Sequence, residues 1–506
     1  MSVSVPQTLE EAQREIVTYQ TRIAELEHQL EQFRKALFGR RTEKYKSADD
    51  HHSQLNMFDT PAEDDSAEAA EEVSIPAHKR KKKGGRNPFP PDLPREEIIH
   101  DVPEEDKVCS CGCEKHQMGE DVTEEYETIP AQAFVRRHVR PKYVCRQCAG
   151  SIVQAPLPER PIPRCQAGPG FLAHMIVSKY ADHIPLCRME RILARGGIDI
   201  TRSNMSEWAM RLHQLCQPLI ALIISRILTS TVIHSDDTPI RVQQPGGGIK
   251  RSFLWVYLGD ESAPYTFYDF TESRSRAGPN KILAEFSGFL QADAYTGYEE
   301  LYKLVDDEGV PRIREAACWA HTRRYFVQAV ESGDELARHA IAEIAKLYGV
   351  EKRAKEHCKE KPINELHARR LELRQEESVK VIDGLFAWMD ERLDVLPRSP
   401  LGKALTYAQN NKTALYTYTT DGRLEIDNNA AERAIRPVAI GRKNWLFAGS
   451  NQGGQAAATF FTLIESARRN GANPFEYLQD LFTRLPSHNI QRLEELLPDR
   501  WLAARD

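Results

Sequence analysis

The sequence predicts a multidomain α+β chain, with an N-terminal coiled coil, a zinc ribbon, and a catalytic domain of mixed sheet and flanking helices interrupted by a helical insertion. Three observations carry this. Apolar residues repeat at heptad spacing over residues 9–37. Five of the ten cysteines fall between Cys109 and Cys148. From residue 231 the apolar period changes from helical to strand-like. A length of 506 residues fits several domains, and 41% hydrophobic residues suffice for real cores.

The heptad places Leu9, Ile16, Ile23, Leu30 and Leu37 at one position and Ala12, Tyr19, Leu26 and Phe33 at the other, and Gly39 stops it. Residues 1–45 are therefore expected to be a coiled-coil helix that makes the protein a homo-oligomer. Residues 46–95 form a charged linker, where an acidic run, Glu63 to Glu72, abuts a basic one, Lys79 to Arg86. The net charge of -6 argues against a general polyanion binder, but it hides these local patches. The basic segment suits DNA phosphates as well as it suits a solvated linker.

Residues 96–155 are expected to be a zinc ribbon with a DNA-binding role. Cys145 and Cys148 form a C-x2-C knuckle, and Cys109 with Cys111 forms the other, Gly112 serving as the knuckle glycine. Cys113 is a rival ligand. Four thiolates would hold one structural Zn²⁺ tetrahedrally. Arg136, Arg137, His138, Arg140 and Lys142 make the ribbon basic. The N-terminus lacks a charged segment followed by an apolar one, and the most apolar stretch, Pro218 to Ile233, contains Arg226. A cytoplasmic protein without membrane contact is the expectation.

Residues 165–230 read as a helical region, with helices at Phe171–Tyr180, Leu186–Arg195 and Ser203–Leu228, the last interrupted near Pro218. A helix-turn-helix reader would fit there. Strands follow at Thr231–Val242, Ser252–Leu258, Pro264–Phe270, Gly288–Asp293 and Ile313–Trp319, with helices at Pro279–Phe286 and Tyr298–Leu304 and another carrying His321, Arg323 and Arg324. Three strands, helix, strand, helix, strand, helix is the order of a ribonuclease H-like fold. That catalytic domain spans 231–330 and 421–470, the helical insertion 331–420, and a C-terminal helical tail 471–506.

In this order Asp236 lies on the first strand and Asp293 at the end of its neighbour, the fourth. Glu432 is expected in the first turn of a short helix, with Asn429 as N-cap in a capping-box spacing. Arg433 and Arg436 share that helix, and Arg442 and Lys443 follow it. Three converging carboxylates repel one another unless divalent cations neutralise them. Two Mg²⁺ (or Mn²⁺) ions per active site, about 4 Å apart, would do so and clamp a phosphodiester.

The segments His-Ser-Asp236-Asp-Thr-Pro, Leu-Gln-Ala-Asp293-Ala-Tyr-Thr-Gly-Tyr, Cys318-Trp-Ala-His321-Thr-Arg-Arg and Asp427-Asn-Asn-Ala-Ala-Glu432-Arg-Ala-Ile-Arg-Pro resemble those of bacterial transposases of the insertion sequence 66 family. The zipper, ribbon and tail also come in that family's order. The resemblance implies a DDE triad of Asp236, Asp293 and Glu432. It implies hydrolytic cleavage at the ends of a mobile DNA element, freeing 3′-hydroxyls, and their joining to target DNA by transesterification. DNA is then the partner, as terminal inverted repeats and target, with small companion proteins of the same element. Arg433, Arg436, Arg442 and Lys443 would hold phosphates, with Arg323 and Arg324 nearby. His321 would touch the scissile strand or pack at its helix start. Asp237 stands where the family usually has Glu and is a rival ligand. Two other readings fit parts of the chain, a ribonuclease H-like nuclease such as a resolvase, and a catalytically inactive zinc-ribbon DNA binder.

Overall fold

The computed structural model describes residues 133–143, 153–392 and 395–505. The heptad, the charged linker and Cys109, Cys111, Cys113, Cys145 and Cys148 lie outside the described residues. An antiparallel ladder of two residues a side joins Lys142–Tyr143 to Val153–Gln154.

A mixed five-stranded sheet organises the rest. Its strands are β1 (Val232–Gln243), β2 (Ile249–Leu258), β3 (Thr266–Thr271), β4 (Gly288–Gln291) and β5 (Ile313–Ala316), in spatial order β3-β2-β1-β4-β5. The first three are antiparallel neighbours, while β4 runs parallel to β1 and β5 parallel to β4. The apolar run Phe253–Leu258 is buried throughout, as a central strand covered on both faces requires. β4 pairs only with Val232, Ile233 and His234 of β1. Beyond Ser235, β1 therefore parts from β4 and leaves its flank open, the kind of crevice where α/β sheets place their ligands.

Helices α1 (Pro169–Tyr180), α2 (Leu186–Arg195) and α3 (Arg202–Ile227) precede the sheet. Contrary to the break expected at Pro218, α3 runs unbroken, because Leu219, Ile220 and Ile223 continue its buried face beyond the proline. Helix α4 (Ala277–Leu283) joins β3 to β4, and α5 (Trp319–Glu331) follows β5. The helix expected at Tyr298–Leu304 is reduced to two 3₁₀ turns, Thr296–Tyr298 and Leu301–Lys303. Buried Tyr298 and Leu301 anchor both turns separately.

The insertion contributes α6 (Ala337–His357), α7 (Ile363–Leu373), α8 (Val379–Asp390), α9 (Pro400–Asn410) and α10 (Lys412–Thr417). A π-turn, Arg374–Ser378, links α7 to α8. The chain returns with α11 (Asn429–Trp445) and α12 (Asn451–Arg469), and ends with α13 (Pro474–Arg484) and α14 (Pro498–Ala503).

Among the described residues two large hydrophobic cores result, beside a small cluster of Val350, Ala354 and Leu373 in the insertion. One joins β2 and parts of the other strands to α1, α3, α11, α12, α13 and α14, so residues 165–230 and the tail share a core with the sheet. The other gathers Val232, Phe289, Ala316 and Trp319 with α5, α6, α8, α9 and α10. Side chains of α12 satisfy the open edge of β3. Ser466 Oγ accepts from Thr266 N and donates to Thr266 O, both at 3.0 Å, and Thr462 Oγ1 accepts from Tyr268 N at 2.9 Å. An uncovered edge would invite pairing with another chain.

Arg374 fastens the insertion to the segment leading into α11. It is fully buried, and its donors all find acceptors: both carboxylate oxygens of Glu351, at 2.7 and 2.9 Å, and the carbonyls of Tyr418, Asp421 and Leu424 at 2.8–2.9 Å. Arg370 adds a 3.0 Å ion pair to Glu425. Gln291, the last residue of β4, seizes the same segment through Glu425 O (2.6 Å) and Glu425 N (3.2 Å).

Candidate active site

Asp236 and Asp237 occupy β1 just where β4 leaves it, Asp293 lies two residues beyond β4, and Glu432 is in the first turn of α11. Helix α11 fills the flank that β4 vacates. It differs from expectation in two ways. It starts one residue after Asn428, not Asn429, and it runs seventeen residues through Pro437, so Arg442 and Lys443 belong to its last turn. Asp427 takes over capping, accepting from Asn429 N at 3.1 Å and Asn429 Nδ2 at 2.8 Å. Asn428 instead faces the sheet. Its Nδ2 donates to Ser235 O (2.8 Å), its Oδ1 meets His234 Nδ1 (3.1 Å), and its N–H donates to Cys318 Sγ (3.1 Å). This fully buried amide ties β1, α5 and α11 together beside the acids.

The acids sense one another. Burial pushes the Asp236 carboxyl well above the usual carboxylate range, and the charges of Asp293, Asp237 and Glu432 push it further, against a hydrogen bond from Asp237 N. Asp293 is raised by burial and by Glu432, while His321 and Arg274 pull it down. Glu432 Oε1 lies 3.6 Å from His321 Nε2 and 3.5 Å from Arg324, both on α5. His321 is lowered by burial, with Glu432 and Asp293 opposing and Arg324 reinforcing.

Arg274, in the loop after β3, went unread in the sequence. It binds Asp237 Oδ1 at 2.7 Å, lies 3.8 Å from Asp293, and stacks over the Tyr295 ring at 4.2 Å. Only the fold brings it to the acids, because nothing distinguishes it within Glu272-Ser-Arg-Ser-Arg. Asp237 is thus engaged by an arginine.

The cations take different places. Arg433 is exposed, while Arg436 and Arg323 are half-buried. Arg442 turns back onto β1, donating to Thr238 Oγ1 (2.8 Å) and Pro239 O (2.7 Å). Lys443 is exposed on the last turn of α11.

A divalent cation fits the chemistry of this group. The donors are hard carboxylate oxygens, and Glu432 Oε1 is buried with no hydrogen-bond donor. Among the described residues, no three His, Cys, Asp or Glu side chains are drawn close enough to form a ready metal cage.

A mixed sheet with acids at the parting of its central strands and arginines around them is an arrangement suited to polyanion chemistry. Comparison with known proteins is specific. Residues 164–456 match the family model "Transposase IS66 family", residues 25–98 "Transposase C of IS166 homeodomain", residues 106–149 "zinc-finger binding domain of transposase IS66" and residues 462–498 "IS66 C-terminal element". The chain belongs to the IS66 transposase family. Relatives include three uncharacterized proteins of Sinorhizobium fredii (strain NBRC 101917 / NGR234). One, y4jD, is 31% identical over 99% of this chain and 97% of its own length. The others are y4hP, 32% identical over 95% and 89%, and y4qI, 36% identical over 78% and 75%. These matches support a transposase role with DNA as partner, divalent-metal use and zinc binding. No helix among the described residues is long and apolar enough to cross a membrane.

Proposed function

We propose that the protein is a DDE transposase that cleaves the ends of its element to free 3′-hydroxyls and joins these to target DNA. The observation that carries the reading is the position of three acids around one opening of the sheet: Asp236 on β1 where β4 leaves it, Asp293 two residues beyond β4, and Glu432 in the first turn of α11. The strand order β3-β2-β1-β4-β5 supports the ribonuclease H-like reading of the domain.

Asp236, Asp293 and Glu432 would hold Mg²⁺ or Mn²⁺, two per active site. Bound there, the cations supply charge neutralisation and polarisation of the scissile phosphodiester. The chain's own residues do the rest. Asn428 fixes Glu432's helix against Ser235, next to Asp236. Arg274 holds Asp237 and keeps a positive charge beside Asp293. Arg324 and His321 flank Glu432, and exposed Arg433 is available to phosphates. The cysteines of the ribbon would hold one structural zinc, and the heptad would join protomers.

The test uses a duplex carrying the element's own ends, with Mg²⁺ or with chelator. Glu432→Gln is expected to lower cleavage and joining by about a thousandfold or more, while DNA affinity stays within about twofold. Metal-dependent cleavage surviving in Glu432→Gln would sink the assignment. Cleavage by the wild type without joining would favour a nuclease instead.

A further inference from the structure

The outer half of β1 leads away from the acids to a second concave site. A cavity of about 420 Å³ is lined by Pro239, Ile240, Arg241, Ile249, Arg251, Arg442 and Leu446. Its size is that of a ligand pocket. Three of its lining residues are arginines and none is acidic. Arg241 and Arg251 are directly opposite across the β1–β2 ladder, a placement that like charges disfavour. Arg251 stacks on the Phe253 ring at 5.4 Å, and its charge acts on Arg442. Arg442 is spent partly on β1 itself. No carboxylate pairs with any of the three among the described residues.

The shape of this cavity is imposed. After α11, Leu446 adopts a φ of 63°, which a branched aliphatic side chain rarely does. The chain then pairs with β1, where Ala448 N donates to Arg241 O at 2.8 Å and Gln243 N to Ala448 O at 2.9 Å. The exposed side chains of Leu446 and Ile249 both line the cavity.

We propose that this cavity is a subsite for a nucleic-acid strand, in which Arg241 and Arg251 hold backbone phosphates while Ile249 and Leu446 pack against the sugar and base. The inference rests on the transposase reading. A polymer is favoured over a free nucleotide because the cavity and the acids share β1. Arg241 lies four positions along β1 from Asp237 and on the same face, about 13 Å at the rise of a strand. That is about four nucleotides at 3.4 Å each.

The experiment compares full-length wild type with Arg241→Ala/Arg251→Ala and Arg241→Lys/Arg251→Lys. The probes are fluorescent duplexes of the element's end with either two or eight base pairs beyond the cleavage point, each titrated over a range of salt. For the long flank, the alanine variant is expected to lose about tenfold in affinity and to flatten the slope of log Kd against log salt by about 1.5–2, as for two lost phosphate contacts. For the short flank it should bind like wild type, and the lysine variant should keep the slope. Equal losses on both probes, or none on either, overturn the proposal. So does tight binding of deoxyadenosine monophosphate alone that is lost in the alanine variant while DNA binding is unchanged. Should wild type fail to join these ends with Mg²⁺ yet show the flank-dependent slope, the subsite stands and the transposase reading falls.

Discussion

Asp269 on β3 shows how the sheet strains single residues. Burial pushes its carboxyl up to about 6, with Lys281 and a hydrogen bond from Phe270 N offsetting part of the effect. The folded state therefore binds the proton more tightly than the unfolded chain does. Stability from this group is present below about pH 4 and is lost as pH rises through about 6. Asp269→Asn is expected to stabilise the protein by about 1–2 kcal/mol at pH 8 and by about half as much at pH 5. Urea melts at the two pH values would show it, and an equal gain at both would contradict the assignment. At this scale the sequence was partly legible. Asp236, Asp293 and Glu432 stand out because acids beside strand ends and a helix start need a chemical reason. Asn428 and Arg274 do not stand out. Of two adjacent asparagines, only the packing of α11 against β1 decides which faces the sheet. An arginine in a charged loop looks solvated until the loop folds over the acids.

Among elements, the insertion is tied to the site by a buried charge. Arg374 and Glu351 are both shielded from solvent, and Arg374 also fixes three carbonyls of the segment entering α11. Arg374→Met should destabilise the protein by about 3–5 kcal/mol, since Glu351 would be left buried with a single, longer contact to Arg370. Arg374→Met/Glu351→Leu should recover a good part of that. Thermal denaturation of the set would decide it, and a double variant no better than the single one would refute the pairing. Periodicity located most strands and helices within a few residues. It failed where tertiary contacts outweigh local preference. Helix α3 passes through Pro218 because its apolar face stays buried on both sides of the proline. Helix α11 outruns its expected end because Ile435, Val438 and Gly441 continue an inward face past Pro437.

For the molecule as a whole, the ribbon reading predicts about one zinc per chain in the purified protein. Elemental analysis would check it, and a metal-free preparation that is folded and binds DNA would refute it. The mixed sheet with flanking helices was legible because the apolar period changes from helical to strand-like at residue 231. The sharing of one core by residues 165–230, the sheet and the tail was not, since long-range packing leaves no local signature. That sharing has a consequence for synthesis. The edge of β3 is closed by Ser466, 200 residues after Thr266. At the pace of translation, about 5–20 residues per second, the nascent sheet waits about 10–40 s with that edge bare. A ribosome that stalls between the two releases or displays a sticky half-sheet. Output of intact protein should then depend on how fast the insertion is translated and on chaperones that occupy the edge meanwhile.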